Sequence, residues 1–156
     1  MDAARSSFGT YEGPWSKAKT KVVIRDEEPN VRVIWHFEYK EMAMAQLWQG
    51  FTDGRGEMNT SLLDQEEILA TLSPVREGAG PGGPKVKSET KWDGDKLLTR
   101  TDDRLKVSGK DVEVEMVDVW ELSADEKSLT QTTKVTPKRG DAGGAREFRR
   151  VYTRAN

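Results

Sequence analysis

Val112-Glu113-Val114-Glu115-Met116-Val117-Asp118-Val119-Trp120-Glu121-Leu122 reads with a period of two. One face collects Val112, Val114, Met116, Asp118, Trp120 and Leu122, and the other carries Glu113, Glu115 and Glu121. A period of two is the mark of a strand with one buried face. The rhythm returns elsewhere. In Val31 to Tyr39 every odd position is apolar or aromatic, and Ile34 is the exception among the mostly polar even ones. Val86 to Trp92 sets Lys87, Glu89 and Lys91 on a wet face, and Glu147 to Arg154 groups Phe148, Arg150, Tyr152 and Arg154. Lys21 to Arg25, Met42 to Phe51, Lys96 to Thr101 and Leu129 to Val135 read as further strands.

Short turn signals join these runs: Asp26 to Asn30, Asp53-Gly54, Asp93-Gly94, Ser108 to Asp111 and Ala124 to Lys127. Asp-Gly suits the positive φ of tight hairpins. Strands joined this closely are antiparallel neighbours. The expectation from these patterns is an all-β chain, residues 1–156 forming one domain, with eight to ten antiparallel strands arranged as a closed barrel or a sandwich. One stretch breaks the rhythm. Asp64 to Leu72 can form a short helix, with Asp64 as cap and Glu67 completing a capping box, although an irregular strand fits equally well. Gly78 to Gly83 then marks a loop, so residues 62–84 read as an enlarged connection or insertion.

Composition removes several classes of function. Lys and Arg number 25 against 27 Asp and Glu, a net charge of -2 that invites neither nucleic acid nor anionic lipid. The absence of Cys rules out disulfides, thiolate catalysis and Cys-ligated metals. The single histidine, His36, lies on a polar strand face and reads as a surface residue. No G-x-S-x-G nucleophile elbow occurs, and the glycine loop lacks the Lys-Ser/Thr ending of a phosphate cradle. No cofactor, no metal and no membrane span is expected. Met1 to Arg5 lacks the features of a signal peptide, which fits a cytoplasmic protein or one whose leader has been trimmed. Compartment and oligomeric state stay open.

Four segments resemble a known family. Trp120-Glu121-Leu122-Ser123-Ala124-Asp125-Glu126-Lys127-Ser128-Leu129-Thr130 is similar to the W-x-L-S-x-D-G-K-x-L-T hairpin of small bacterial lipocalin-like (calycin) proteins of unknown function. Glu126 stands where that family usually has Gly, which implies a looser turn. Trp92-Asp93-Gly94-Asp95-Lys96-Leu97 resembles its W-D-G-x-x-L hairpin. Phe51-Thr52-Asp53-Gly54 with Glu57 and Asn59 resembles its F-x-x-D-G-x-E-x-x-N segment, stretched here by Gly56, and Val151-Tyr152-Thr153-Arg154 its closing V-Y-x-R strand. The resemblance covers the chain from about Phe51 onward. It implies a closed antiparallel up-and-down barrel of about eight strands, of the lipocalin and streptavidin type, and no particular activity. Gly13-Pro14-Trp15 also resembles the G-x-W that opens lipocalin barrels, a spacing that chance supplies readily. It would imply that Trp15 plugs one barrel end beneath an Arg such as Arg154.

If the alternating faces point inward, the lumen collects Trp35, Phe37, Tyr39, Ser88, Thr90, Trp92, Met116, Asp118, Trp120, Phe148, Arg150 and Tyr152. Rings with a few hydroxyls and an opposed charge pair form a small-ligand pocket, or else the rings pack on each other as a solid core. Asp118 and Arg150, each flanked by large apolar residues two positions away, are expected inside as a pair, unless a β-bulge turns Asp118 outward. The leading expectation is non-catalytic binding of a small apolar or amphipathic molecule in the barrel. The alternatives are a structural barrel that binds a protein through its large loop, and a carboxylate-based enzyme using Asp118.

Overall fold

The computed structural model describes residues 9–15, 18–60, 85–107, 110–139 and 143–155. They form ten strands and no helix: β1 (Thr10–Trp15), β2 (Ala18–Glu27), β3 (Asn30–Tyr39), β4 (Met42–Phe51), β5 (Glu57–Thr60), β6 (Lys85–Asp93), β7 (Lys96–Val107), β8 (Lys110–Leu122), β9 (Ser128–Pro137) and β10 (Arg146–Arg154). The strands pair antiparallel in the order β4-β3-β2-β1-β10-β9-β8-β7-β6-β5, which curls into a nearly closed barrel. The all-β architecture matches the sequence reading; the count of about eight that the resemblance implies is corrected to ten. The two strands missed are β1, which holds Gly13 and Pro14, and β5, only four residues long. Both escape a periodicity search for a physical reason: one contains strand breakers and the other is too short to show a period. The expected helix at 64–72, the enlarged connection at 62–84 and the loop Gly78 to Gly83 fall outside the described residues.

β1 tolerates its breakers because of its position. Its described ladder to β10 covers only Tyr11↔Arg154 and Glu12↔Thr153, so Pro14 pairs with β2 alone, opposite Lys19. A Cβ on Gly13 would stand 2.8 Å from Cδ1 of Tyr152, so the small residue lets β1 pass close to that ring. The side chain of Trp15, expected to plug a barrel end, lies outside the described residues. Arg154 lies opposite Tyr11, four residues along the strand from Trp15, which pairs with Ala18.

One barrel end carries the turns at Gly54 and Gly94 and the turn between β8 and β9. Gly54 and Gly94 take φ of 82° and 59°, as Asp-Gly hairpins require. The β8–β9 turn is built from its own side chains. Asp125 Oδ1 accepts from Ser123 Oγ at 2.6 Å and from the Lys127 amide at 3.1 Å, while Ser123 Oγ accepts from the Ser128 amide at 3.0 Å. Glu126 occupies the left-handed position at φ 57°, and its carboxylate takes a hydrogen bond from Arg154 Nη1 at 3.1 Å. The turn is therefore closed and hydrogen-bonded rather than loose. Above it the barrel end is packed by Ile24, Val31, Val33, Leu97, Leu129 and Tyr152, each 0–2% exposed. Burial pushes the phenol of Tyr11 above its ordinary pKa; nearby Arg154 opposes the shift and Glu126 adds to it.

A candidate ligand site in the barrel lumen

Trp35 from β3 and Trp120 from β8 meet across the barrel, ring centroids 5.9 Å apart, and Tyr152 stacks on Trp120 at 6.1 Å. This aromatic layer rests on the packed end and forms a floor. A cavity lies against it, lined by Trp35, Trp48, Trp120, Met116 and Val86 on its apolar side and by Asn59, Ser88, Thr99, Thr101, Asp118 and Gln131 on its polar side. Its free volume is about 10 Å³, the room of roughly one water. The lumen is therefore largely filled by its own side chains.

The polar side follows from the ladder. On β6, β8 and β9 the inward positions run apolar, polar, then apolar along the strand, and on β7 they run apolar then polar. Leu97 is followed by Thr99 and Thr101, Leu129 by Gln131 and Thr133 before Val135, and Trp120 by Asp118 before Met116. Register sets Asp118 opposite both Thr99 and Thr133, so the polar positions form a belt across the sheet. Asp118 is 4% exposed and faces inward; no bulge turns it out. Its Oδ1 accepts from Gln131 Nε2 at 3.1 Å and from Thr133 Oγ1, and Gln131 Oε1 accepts from the Tyr152 hydroxyl at 3.3 Å.

A second buried carboxylate stands where the sheet almost closes. Glu57 Oε1 accepts from Ser88 Oγ at 2.8 Å and Thr90 Oγ1 at 2.6 Å, and Oε2 accepts from the Phe51 amide at 3.3 Å. Two residues on, the Asn59 side chain bonds the backbone of Gln49. Glu57 and Asn59 thus tie β5 to β4 through side chains, where no backbone ladder between these strands is described. Gly50 helps at the same place: a Cβ there would stand 2.4 Å from the Trp48 ring and 2.8 Å from Thr90 Oγ1. With hydrogen in that position, Trp48 folds over β4 and β6 approaches it.

Of the residues expected in the lumen, Trp35, Phe37, Ser88, Thr90, Met116, Asp118, Trp120 and Tyr152 are buried, and Tyr39 and Trp92 pack against the core at half burial. Phe148 is a correction. It is 39% exposed, because the described β1–β10 ladder ends before reaching it and leaves that stretch of β10 covered on one side only. Arg150 is half-buried and pairs in register with Gln131, which sets Gln131 beside it on the ladder and in hydrogen-bond contact with Asp118. His36 is exposed, as its polar face implies.

Sequence reasoning missed Trp48, Thr99, Thr101, Gln131 and Thr133, although the alternation from Leu97 and from Leu129 points to four of them. It quoted Glu57 and Asn59 as a motif and gave them no task. Among the described residues no group of three or more His, Cys, Asp or Glu comes together to hold a metal ion, and no helix is long and apolar enough to cross a membrane. No protein-family model matches the chain, and no curated protein matches it either.

Proposed function

We propose that the barrel binds a small amphipathic molecule in its lumen without transforming it. The supporting observation is the cavity's two-sided lining, which brings Trp35, Trp48 and Trp120 together with Ser88, Thr99, Asp118 and Gln131 around one space. A core evolved only for packing avoids such a belt, since each buried polar group must be satisfied to avoid a cost of about 1–3 kcal/mol. The free space of about 10 Å³ limits the ligand to a small one and requires a wall to yield. Trp48 is that wall: its ring lies over Gly50 beside the side-chain-closed junction of β4 and β5.

Titrating the protein with a library of small aromatic and aliphatic amphiphiles, reading Trp emission and melting temperature, tests the proposal. Saturable binding that changes Trp emission is expected. A library without a saturable binder would overturn it.

A further inference from the structure

We infer that the ligand enters through the side of the barrel, by parting of β4 from β5 with Asn59 as the latch, and not through either end. The inference rests on the binding role proposed above and concerns the route into that same cavity. Among the described strands, the sheet order begins at β4 and finishes at β5, and this seam is the one junction closed without a backbone ladder. Three side-chain hydrogen bonds close it. Asn59 holds the Gln49 amide and carbonyl at 2.9 and 2.8 Å, and Glu57 Oε2 accepts from the Phe51 amide at 3.3 Å. Parting β4 from β5 breaks these three and spares the bonds from Ser88 and Thr90 to Glu57 Oε1, which lie on the β5–β6 side.

The cavity lies directly behind the seam. Trp48 of β4, Asn59 of β5, and Val86 and Ser88 of β6 all line it. Buried side chains stand between the cavity and each end. On one side is the aromatic floor of Trp35, Trp120 and Tyr152. Toward the other, Val114 and Val135, 1% and 4% exposed, pack with Met116, which lines the cavity. The joint between the two seam strands is also made to turn. Gly54 and Gly56 take φ of 82° and 73°, a region that glycine enters without a β-carbon clash. A few such residues at element ends absorb the backbone change of a hinge.

The chain has no Cys, so a double variant, Gln49→Cys with Met58→Cys, can be bridged selectively across the seam by a short bismaleimide. Neither residue lines the cavity, and Met58 is exposed. Titrating indole into the nitrogen-15-labelled full chain and fitting the line shapes gives its on-rate and off-rate. The bridge should slow both by the same factor, about tenfold or more, and leave Kd unchanged, because a portal alters the barrier and neither end state. The unbridged variant should behave as wild type. If the double variant does not fold, Asn59→Ala, which removes the latch, should raise the on-rate instead. Rates that the bridge leaves unchanged, a loss of affinity at an unchanged on-rate, or an unchanged on-rate in Asn59→Ala would overturn the route and leave the binding role standing. Absence of saturable indole binding to the wild-type chain would overturn both.

Discussion

The carboxamide of Asn59 grips the backbone of Gln49 at both ends: its Oδ1 accepts from the Gln49 amide at 2.9 Å and its Nδ2 donates to the Gln49 carbonyl at 2.8 Å. A side-chain amide has the donor and acceptor of a peptide group, so Asn59 supplies β4 with the pairing that a neighbouring strand would otherwise give. This fits its burial at 7% exposure. Asn59→Asp keeps the shape, loses the donor and sets a carboxylate against a carbonyl. It is expected to destabilise by about 2 kcal/mol, with part of the loss from the orphaned Gln49 carbonyl. Denaturant unfolding measures the loss, and hydrogen exchange should show the Gln49 amide released well before the amides of β8 and β9. Unchanged exchange at Gln49 would contradict the account.

Gly50 is expected to reject even a methyl group. Gly50→Ala places a carbon into the Trp48 ring and against Thr90 Oγ1, so Trp48 must move or the β4–β6 approach must open. Overpacking of this kind costs about 1–3 kcal/mol. The accompanying sign is a red shift of Trp emission in the variant. A loss of stability without any change in emission would mean that the backbone, not Trp48, absorbs the strain.

Much of the fold can be read from the sequence because the barrel repeats one simple rule. The stretch from Val112 to Leu122 sets Asp118 inward from alternation alone, and both Asp-Gly turns fall where the dipeptide indicates. What escapes has a local physical cause. Phe148 keeps the right parity and still meets solvent, since parity gives a side and not a neighbour. The junction of β4 and β5 depends on side chains that stand in for backbone, and no periodicity records that. The polar belt was visible only in part, because Thr99, Thr101 and Thr133 are inconspicuous strand residues until register lines them up with Asp118.

Glu126 permits a clean test of turn strain. It sits at φ 57°, where a β-carbon costs about 1 kcal/mol, and its contact with Arg154 is solvent-exposed. Glu126→Ala and Glu126→Gly both remove that contact, and only the second relieves the backbone. The Gly variant should therefore be the more stable of the two by about 1 kcal/mol. Equal melting temperatures would show that the turn is relaxed in its present form.

Asp125 predicts acid sensitivity in the same hairpin. The Ser123 hydroxyl, followed by the Lys127 amide, holds its carboxyl below the ordinary value of 3.8. A depressed folded-state pKa contributes stability above the unfolded value, and that contribution is lost as pH falls through the folded one. Unfolding curves measured from pH 5 down to pH 2 should separate wild type from Asp125→Asn at the upper end and converge at the lower. A difference independent of pH would assign the effect of the substitution to hydrogen-bond geometry instead of charge.

The most direct test of the lumenal site is a nitrogen-15 NMR titration with indole at natural abundance, following the protein's labelled Trp side-chain N–H signals together with the backbone amides of Thr99 and Gln131. The expected result is saturable shifts at Trp35, Trp48, Trp120, Thr99 and Gln131, with outward-facing positions such as Val119 and Thr132 unmoved. Shifts confined to outward positions such as Leu47 and Val151, with the Trp35 and Trp120 signals unchanged at saturation, would contradict binding in the lumen.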